Sequence, residues 1–514
     1  MAKDPVTERV MGFLAMDIFS NFIYAFSEAF RPENLLFCFL GVLIGTLVGV
    51  LPGLGPVATI SILLPTTFTI KPEQSLIMLA GIYYGAQYGG STTSILLNLP
   101  GEAASVVTCL DGYQMARQGR AGPALGISAF GSWIAGTASV VITMLIAPPL
   151  ANFALQFGPP EYFSLMFLGL TVLTYLASGS MIRALMMACV GIFLGTIGTD
   201  IISGLERFTY GSYTLMDGLG LVPVIMGLFG ISEVLVNIEQ TMKKEIYKTS
   251  LSHLLPSLQD WKDSIKAIFR GTFLGFFLGI LPGGGAIIGS FAAYAMEKRI
   301  SKHPEKFGKG AIEGVAAPES ANNSAAQGAF IPLLCLGIPS NVVMAILLGA
   351  LLIQGIKPGP LLMKNHPDLF WGVIGSMYIG NLLLLALNLP LIGLWVQVLK
   401  VPYPILFPII LIVCVIGCYS LNYSLVEVAI MNIFGVVGYF MKKLEYEGAP
   451  LILAFVLSPM LENALRQSLI MSHGSFSIFF TRPISLIFIV VAIFLLVSPL
   501  IPGLQKRPKA AELG

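Results

Sequence analysis

Residues 41–55 read GVLIGTLVGVLPGLG, and residues 271–285 read GTFLGFFLGILPGGG. The second stretch repeats the first 230 positions later, with seven of 15 positions identical. The shared pattern is G-x3-G-x3-G-x-L-P-G-x-G. Its first part is an apolar helix with glycine at every fourth position, which leaves one face bare and suits close packing between membrane helices. Its second part is a break, because proline removes an N–H and glycine loosens the backbone. Another matched pair lies downstream: Asn98-Leu-Pro100-Gly-Glu102 and Gly337-Ile-Pro339-Ser-Asn341. Each follows a polar run of small residues, Tyr83–Ser94 in the first half and Glu319–Gly328 in the second. From the first proline to the second is 48 residues in one half and 57 in the other, and the basic loop 297–310 accounts for the extra nine.

Composition says where such helices live. Of 514 residues, 55% are hydrophobic and only 11% charged, against about 25% charged in soluble domains. Mean hydropathy is +0.83. These figures describe a polytopic membrane protein and exclude a secreted, disordered or nucleic-acid-binding chain. A net charge of +2 offers no surface for a polyanion. Apolar runs near 75–97, 124–147, 162–178, 181–202, 219–238, 325–352, 370–398, 403–419, 424–441, 449–468 and 484–502 join the two broken regions 35–70 and 271–296. With about 20 residues per crossing, the expectation is about 12 transmembrane or re-entrant elements. The runs are continuous, not alternating, so a β-barrel is not expected. The expected fold class is all-α: two repeats, inverted with respect to each other, built with Pro/Gly-broken helices.

Charge divides the chain further. Residues 1–30, with Lys3, Asp4, Glu8 and Arg9 and no long apolar core, read as a retained N-terminal amphipathic segment or a poor first span, not a signal peptide. Residues 31–238 form the first transmembrane half, 239–270 a basic cytoplasmic loop, 271–483 the second half, and 484–514 the last helix and a basic tail. Two Lys/Arg-rich loops flank 271–296, and both belong on the cytoplasmic side. That region is therefore expected to be a re-entrant hairpin turning at 281–285.

Paired broken helices at matching positions point to the binding site of a secondary transporter. Freed backbone groups cannot face lipid, so they line a cavity or face protein. Helix N-termini there favour anions, and freed carbonyls favour a small cation. The candidate substrate- and ion-binding residues are Pro52, Gly53, Gly55, Pro282, Gly283 and Gly285 at the breaks. Ser91, Thr92, Thr93 and Asn98 come from the first polar run, and Glu319, Asn322, Asn323, Ser324 and Asn341 from the second half. Membrane Ser and Thr often bond only their own backbone, whereas two adjacent amides each need several partners. Glu319 opens the second polar run and Glu102 follows the first X-Pro break; either can carry a proton or complete a cation site. Other ionisable residues near the spans, among them Asp111, Asp200, Arg207, Glu462 and Arg466, read as interfacial. The six cysteines show no CxxC or Cys/His grouping and read as small core hydrophobes. The sequence offers no metal cluster, no nucleophile–base pair and no phosphate-binding G-x4-G-K-[ST] loop, so an enzyme or an ATP-driven pump is not expected.

The runs GVLPGLGPVATISILLP (49–65), YYGAQYGGSTTSILLNLPGE (83–102), GILPGGGA (279–286) and APESANNSAAQGAFIPLLCLGIP (317–339) resemble the large membrane subunit of the tripartite tricarboxylate transporters, the TctA family. The resemblance spans about residues 30–500. Ser340 departs from it, standing where the family pattern has glycine. The resemblance implies a subunit in the bacterial inner membrane. Its expected partners are a small four-helix membrane subunit (TctB-like) and a periplasmic solute-binding protein (TctC-like). The implied activity is import of tri- or dicarboxylates such as citrate by symport with sodium or protons. No cofactor is implied beyond a coupling sodium ion, whose ligands the sequence does not single out. The rival reading is an uncoupled organic-anion channel or exporter, since long polar helix runs can also line a pore.

Overall fold

A computed structural model of the chain describes residues 19–51, 54–177, 180–200, 202–239, 254–399 and 403–498. Pro52 and Gly53, most of the N-terminal segment, residues 240–253 of the basic loop 239–270 and the basic tail lie outside those residues. The fold is all-α. Among the described residues the strand content is one two-stranded antiparallel ribbon, Gly198–Thr199 with Glu206–Arg207.

In chain order, α1 (Pro32–Val50) leads into the first break and α2 (Pro56–Leu63) leaves it. Next come α3 (Pro72–Leu97), α4 (Val106–Arg117), α5 (Ala121–Ala154), α6 (Pro159–Leu176) and α7 (Met181–Gly195). The helix α8 (Leu221–Glu239) contains a π segment at Met226–Ile231. Then follow α9 (Leu258–Ile280), α10 (Gly285–Ile300), α11 (Glu313–Gly328), α12 (Val342–Ile353) and α13 (Pro367–Asn388). The last helices are α14 (Ile392–Val398), α15 (Tyr403–Asn422), α16 (Leu425–Lys443), α17 (Gly448–Met471) and α18 (Pro483–Val497). Proline opens α1, α2, α3, α6, α13 and α18. At that position its missing N–H has no helical acceptor to lose and its fixed φ suits the first turn.

Six helices, α1, α5, α8, α13, α16 and α17, are long and apolar enough to cross a membrane by length and composition. Large apolar side chains stand out from the surface along helix faces. On α9, Phe269, Phe273 and Phe277 are about half exposed, four residues apart and hence in one stripe. Such a stripe is costly in water and at home in lipid or against another apolar chain.

Two expectations change. Residues 258–270 belong to α9, not to a loop. Ser257 caps that helix: its Oγ accepts from Asp260 N at 3.2 Å, and Asp260 Oδ2 accepts from Ser257 N at 2.9 Å. This reciprocal cap starts a helix in a stretch whose charges suggest a connection. The apolar run 325–352 is likewise not one span. It turns through a π segment at Pro332–Leu336 and a left-handed Gly337 before α12 begins.

The chain divides into two compact units. One comprises the described residues of 1–155 and 220–440 and holds both glycine-rich breaks and both polar runs. Within it, residues 19–29 form a helix whose Ala25 and Ala29 pack at Gly375 of α13. The hairpin α9–α10 has antiparallel arms, because Arg270 and Glu297, on opposite sides of the turn, pair with Arg270 Nε 2.9 Å from Glu297 Oε2. The other unit comprises the described residues of 156–219 and 441–514. There α17 packs on α6 and α7, and α18 on α6. Asp200, Arg207, Glu462 and Arg466 form one ion-pair network.

Candidate functional site

Two glycine stripes bring the polar helices to their places. A Cβ added at Gly41, Gly45 or Gly49 of α1 would collide with the backbone of Met78, Ile82 or Ala86 on α3. One added at Gly271, Gly275 or Gly279 of α9 would collide with Ala317, Ala321 or Ala325 on α11. The two helix pairs thus make the same contacts in the same order. The second breaks also agree. Asn98 and Gly337 are both left-handed, and four residues after each an N-cap side chain closes the next turn. Glu102 Oε2 accepts from Ala104 N at 2.8 Å, and Asn341 Oδ1 accepts from Met344 N at 3.0 Å.

The departure at Ser340 has a local cause. Gly101 lies so close to Gly49 and Gly90 that a Cβ there would strike the Gly49 carbonyl. Ser340 instead gives its carbonyl to Gly283 N at 2.7 Å, joining the tip of the α9–α10 hairpin to the second break. A serine side chain fits at that position, buried.

Around α3 and α11 the two polar runs meet. Glu319, with no exposed surface, receives Ser91 Oγ at 2.5 Å on one carboxylate oxygen and Thr108 Oγ1 on the other. Asn323 Nδ2 lies 2.9 Å from Ser132 Oγ, 3.1 Å from the Glu319 carbonyl and 2.6 Å from Asn322 Oδ1. Asn341 Nδ2 reaches Tyr83 OH at 3.3 Å. A cavity of about 10 Å³ opens beside Ser91, room for about one water. Its walls are Tyr88, Ser91, Thr92, Leu125, Ser128, Ala129, Asn388, Leu389 and Ile392.

Several buried polar atoms in this region have no hydrogen-bond partner: Gln87 Oε1, Tyr88 OH, Ser320 Oγ, Asn323 Oδ1, Gln327 Oε1, Asn381 Nδ2 and Asn388 Oδ1. Each such atom costs about 1–3 kcal/mol. They concentrate along α3, α11 and α13.

The sequence candidates sort accordingly. Ser91, Thr92, Glu319, Asn322 and Asn323 come together. Pro282, Gly283 and Gly285 stand at the hairpin tip beside Ser340 and Asn341, with Gly283 and Gly285 at positive φ. Thr93 bonds the Val50 carbonyl at 2.8 Å, and Ser324 bonds the Thr272 carbonyl and Ser139 at 2.6 Å each; both hold helices together. Gly55 caps α2 and meets nothing within 4 Å, and Asn98 is exposed at the end of α3, so neither joins the cluster. Glu102 serves as a cap. Thr108, Ser128 and Ser132 escape a sequence reading, since a lone Ser or Thr in an apolar helix carries no signal. Asp111 is buried and accepts from Gly310 N at 2.7 Å, Ala311 N at 2.8 Å and Tyr294 OH at 2.9 Å. It thereby anchors the segment that leads into α11. Cys189 is exposed, unlike the core cysteines. Among the described residues no three His, Cys, Asp or Glu gather as a metal site.

Comparison with known proteins agrees with this architecture. Residues 35–453 match the family described as tripartite tricarboxylate transporter TctA family. An uncharacterized 52.8 kDa protein in the TAR-I ttuC' 3' region of Agrobacterium vitis is 52% identical over 492 residues, covering 96% of this chain and 98% of that protein. An uncharacterized protein in the TAR-II ttuC' 3' region of the same organism is 51% identical over 233 residues, covering 45% of this chain and 96% of its own length. No solved structure matches.

Proposed function

Because the chain belongs to the tripartite tricarboxylate transporter TctA family, we propose that it is the large permease subunit of a binding-protein-dependent secondary transporter. It imports tri- or dicarboxylates across the bacterial inner membrane by symport with a cation, sodium or proton. It works with a small four-helix membrane subunit and a periplasmic solute-binding protein. Its two halves, 31–238 and 271–483, act as inverted repeats. It is a transport subunit and not an enzyme.

The observation that carries this reading is the cluster of buried, unpartnered amide and hydroxyl groups where α3 and α11 cross. These groups supply hydrogen bonds to substrate carboxylates in place of an Arg or Lys clamp. With no guanidinium in the cluster, a co-bound cation balances the anion's charge, and that makes uptake depend on the cation gradient. A tricarboxylate is many times larger than the one-water cavity at Ser91, so binding requires these helices to separate. Opening and closing around a fixed polar centre is the alternating access that a symporter needs.

The test is uptake of radiolabelled citrate and other carboxylates into proteoliposomes holding this chain and its small partner. The cognate binding protein is added and a sodium or proton gradient imposed in turn. Accumulation that requires the binding protein and one gradient supports the reading. Downhill flux independent of any gradient would put the channel reading in its place.

A further inference from the structure

Several buried carboxylates among the described residues are paired with arginine. Glu161 meets Arg482, Glu297 meets Arg270, and Asp260 meets Arg120. Asp111 and Glu102 each accept from backbone N–H groups. Glu319 is completely buried, yet the groups within hydrogen-bonding reach of its carboxylate are all neutral: Ser91 Oγ and Thr108 Oγ1 donate to it, with Asn322 and Ser128 beside them. A charge buried without an opposite charge is costly unless something neutralises it.

The hydroxyl of Ser91 has a second neighbour. Its Oγ lies 3.0 Å from the Gln87 carbonyl as well as 2.5 Å from Glu319 Oε2. A hydroxyl donates one proton and accepts through two lone pairs. When Glu319 is ionised, Ser91 turns its proton to Oε2. When Oε2 carries a proton, Glu319 donates to Ser91, and Ser91 turns its own proton to the Gln87 carbonyl. Thr108 continues to donate to the other oxygen in both states. One hydroxyl rotation therefore serves both protonation states with every heavy atom in place. Each carboxylate oxygen contacts a hydroxyl directly, an arrangement that a shared proton fits. The cavity beside Ser91 supplies the place where water can reach this carrier.

Resting on the reading of the chain as a cation-coupled symporter, we propose that Glu319 carries the coupling proton, with Ser91 as the group that accepts its hydrogen bond. The proton comes from water on the side to which the site opens, binds Oε2 together with the substrate carboxylate nearby, and returns to water on the opposite side. The titratable groups facing Glu319 are Tyr88 on α3, Glu102 ahead of α4 and Cys109 on α4. From α5 it is faced by Ser128 and Ser132. Near Glu319 the arms α9 and α10 meet α11 through glycines and Ser290, and the charges of Asp263 and Glu297 face Glu313 at the start of α11.

Infrared difference spectroscopy of the full chain in lipid, titrated from acid to alkaline pH, reads this directly. The expected result is a protonated-carboxyl C=O band at neutral pH that Glu319→Gln removes. Ser91→Ala should shift its frequency, because the acceptor of that proton is gone. The absence at neutral pH of any band that Glu319→Gln removes would overturn the proposal. Should Glu319→Gln not fold, an unmoved band in Ser91→Ala overturns it as well. In proteoliposomes with the small partner and the binding protein, Glu319→Gln should lose citrate accumulation driven by a proton gradient. Accumulation by the wild type that follows sodium alone, unaffected by the proton gradient, also counts against it. A Glu319 band in a chain that moves no carboxylate would instead refute the transport reading and leave the protonation site standing.

Discussion

Gly275 and Gly289 offer a paired test of the helix crossing that brings Glu319 into the cluster. Both are buried at the junction of α9, α10 and α11. A Cβ built on Gly275 would fall 2.6 Å from Ala321 Cα and 2.8 Å from its carbonyl carbon, with the carbonyl oxygen closer still. Those atoms are backbone and cannot rotate away. Reaching ordinary contact, 3.4 Å or more, requires the helices to part by about 1 Å, the carbonyl oxygen needing the larger shift, and a gap of about 0.5–1 Å forfeits a quarter to a half of each dispersion contact it opens. Overpacking of this kind costs about 1–3 kcal/mol. A Cβ on Gly289 meets Ala321 O and Ala325 Cβ at 3.5 Å and Gly275 Cα at 3.6 Å, which is ordinary contact. Alanine there gains helix propensity of about 0.5–1 kcal/mol. Gly275→Ala should therefore unfold at a lower temperature than the wild type, and Gly289→Ala at the same temperature or higher. The assay is thermal unfolding in detergent followed by size-exclusion chromatography. A Gly275→Ala protein as stable as Gly289→Ala would refute the close-packed crossing and the placement of α11 derived from it.

Asn323→Ala removes an amide that the cluster needs for an anionic occupant, and should cut carboxylate uptake roughly 10- to 150-fold at equal expression, as expected for a hydrogen bond to a charged group. Thr108→Val, which deletes a donor to Glu319 that the sequence does not reveal, should cut uptake over a similar range in the same proteoliposome assay. Asp111→Asn loses an acceptor for one of its three donors and should destabilise the chain by about 1–3 kcal/mol, read as a lowered unfolding temperature; Tyr294→Phe should cost less. In the second unit, hydrogen bonds from Arg466 and then from the Ser203 backbone hold the Asp200 carboxyl well below the usual carboxylate range. A depressed carboxylate stabilises the fold above its unfolded value and loses that contribution as pH falls through the folded one. Asp200→Asn should therefore lower the unfolding temperature at neutral pH, and the gap to the wild type should close only in strong acid.

How much of this was readable from residues alone depends on the type of signal. Glycines at every fourth position and an L-P-G stop are written in the backbone chemistry of single residues, so the stripes, the breaks and the all-α class are legible. So is the pairing of the two polar runs, since both occupy equivalent helices. The start of α9 was hidden because its charged first turns look like a connection; only the Ser257–Asp260 cap betrays it. The partners of Glu319 were hidden for a different reason. Ser91 lies 228 positions away and Thr108 lies 211 positions away, and nothing local to a hydroxyl tells which distant carboxylate it faces.

The glycine contacts also explain why the two polar runs do not superimpose by sequence. They set Met78, Ile82 and Ala86 of α3 against the same features that Ala317, Ala321 and Ala325 of α11 meet. In that register Tyr84 stands where Asn323 stands, and Ala80 where Glu319 stands, while Ser91 matches Phe330. The two helices share a packing frame and carry different chemistry on it: hydroxyls and phenols predominate in the buried polar run of α3, Glu319 and two asparagines in that of α11. A site made of two copies of one polar run would be symmetric and would bind its occupant equally in two orientations. The arrangement here places a single carboxyl on one side of the crossing and its hydroxyl donors on the other. In the proposed cycle Glu319, held between two structurally matched halves, carries one proton per opening, and that asymmetry is what a carrier needs if each turn of transport is to draw on a gradient.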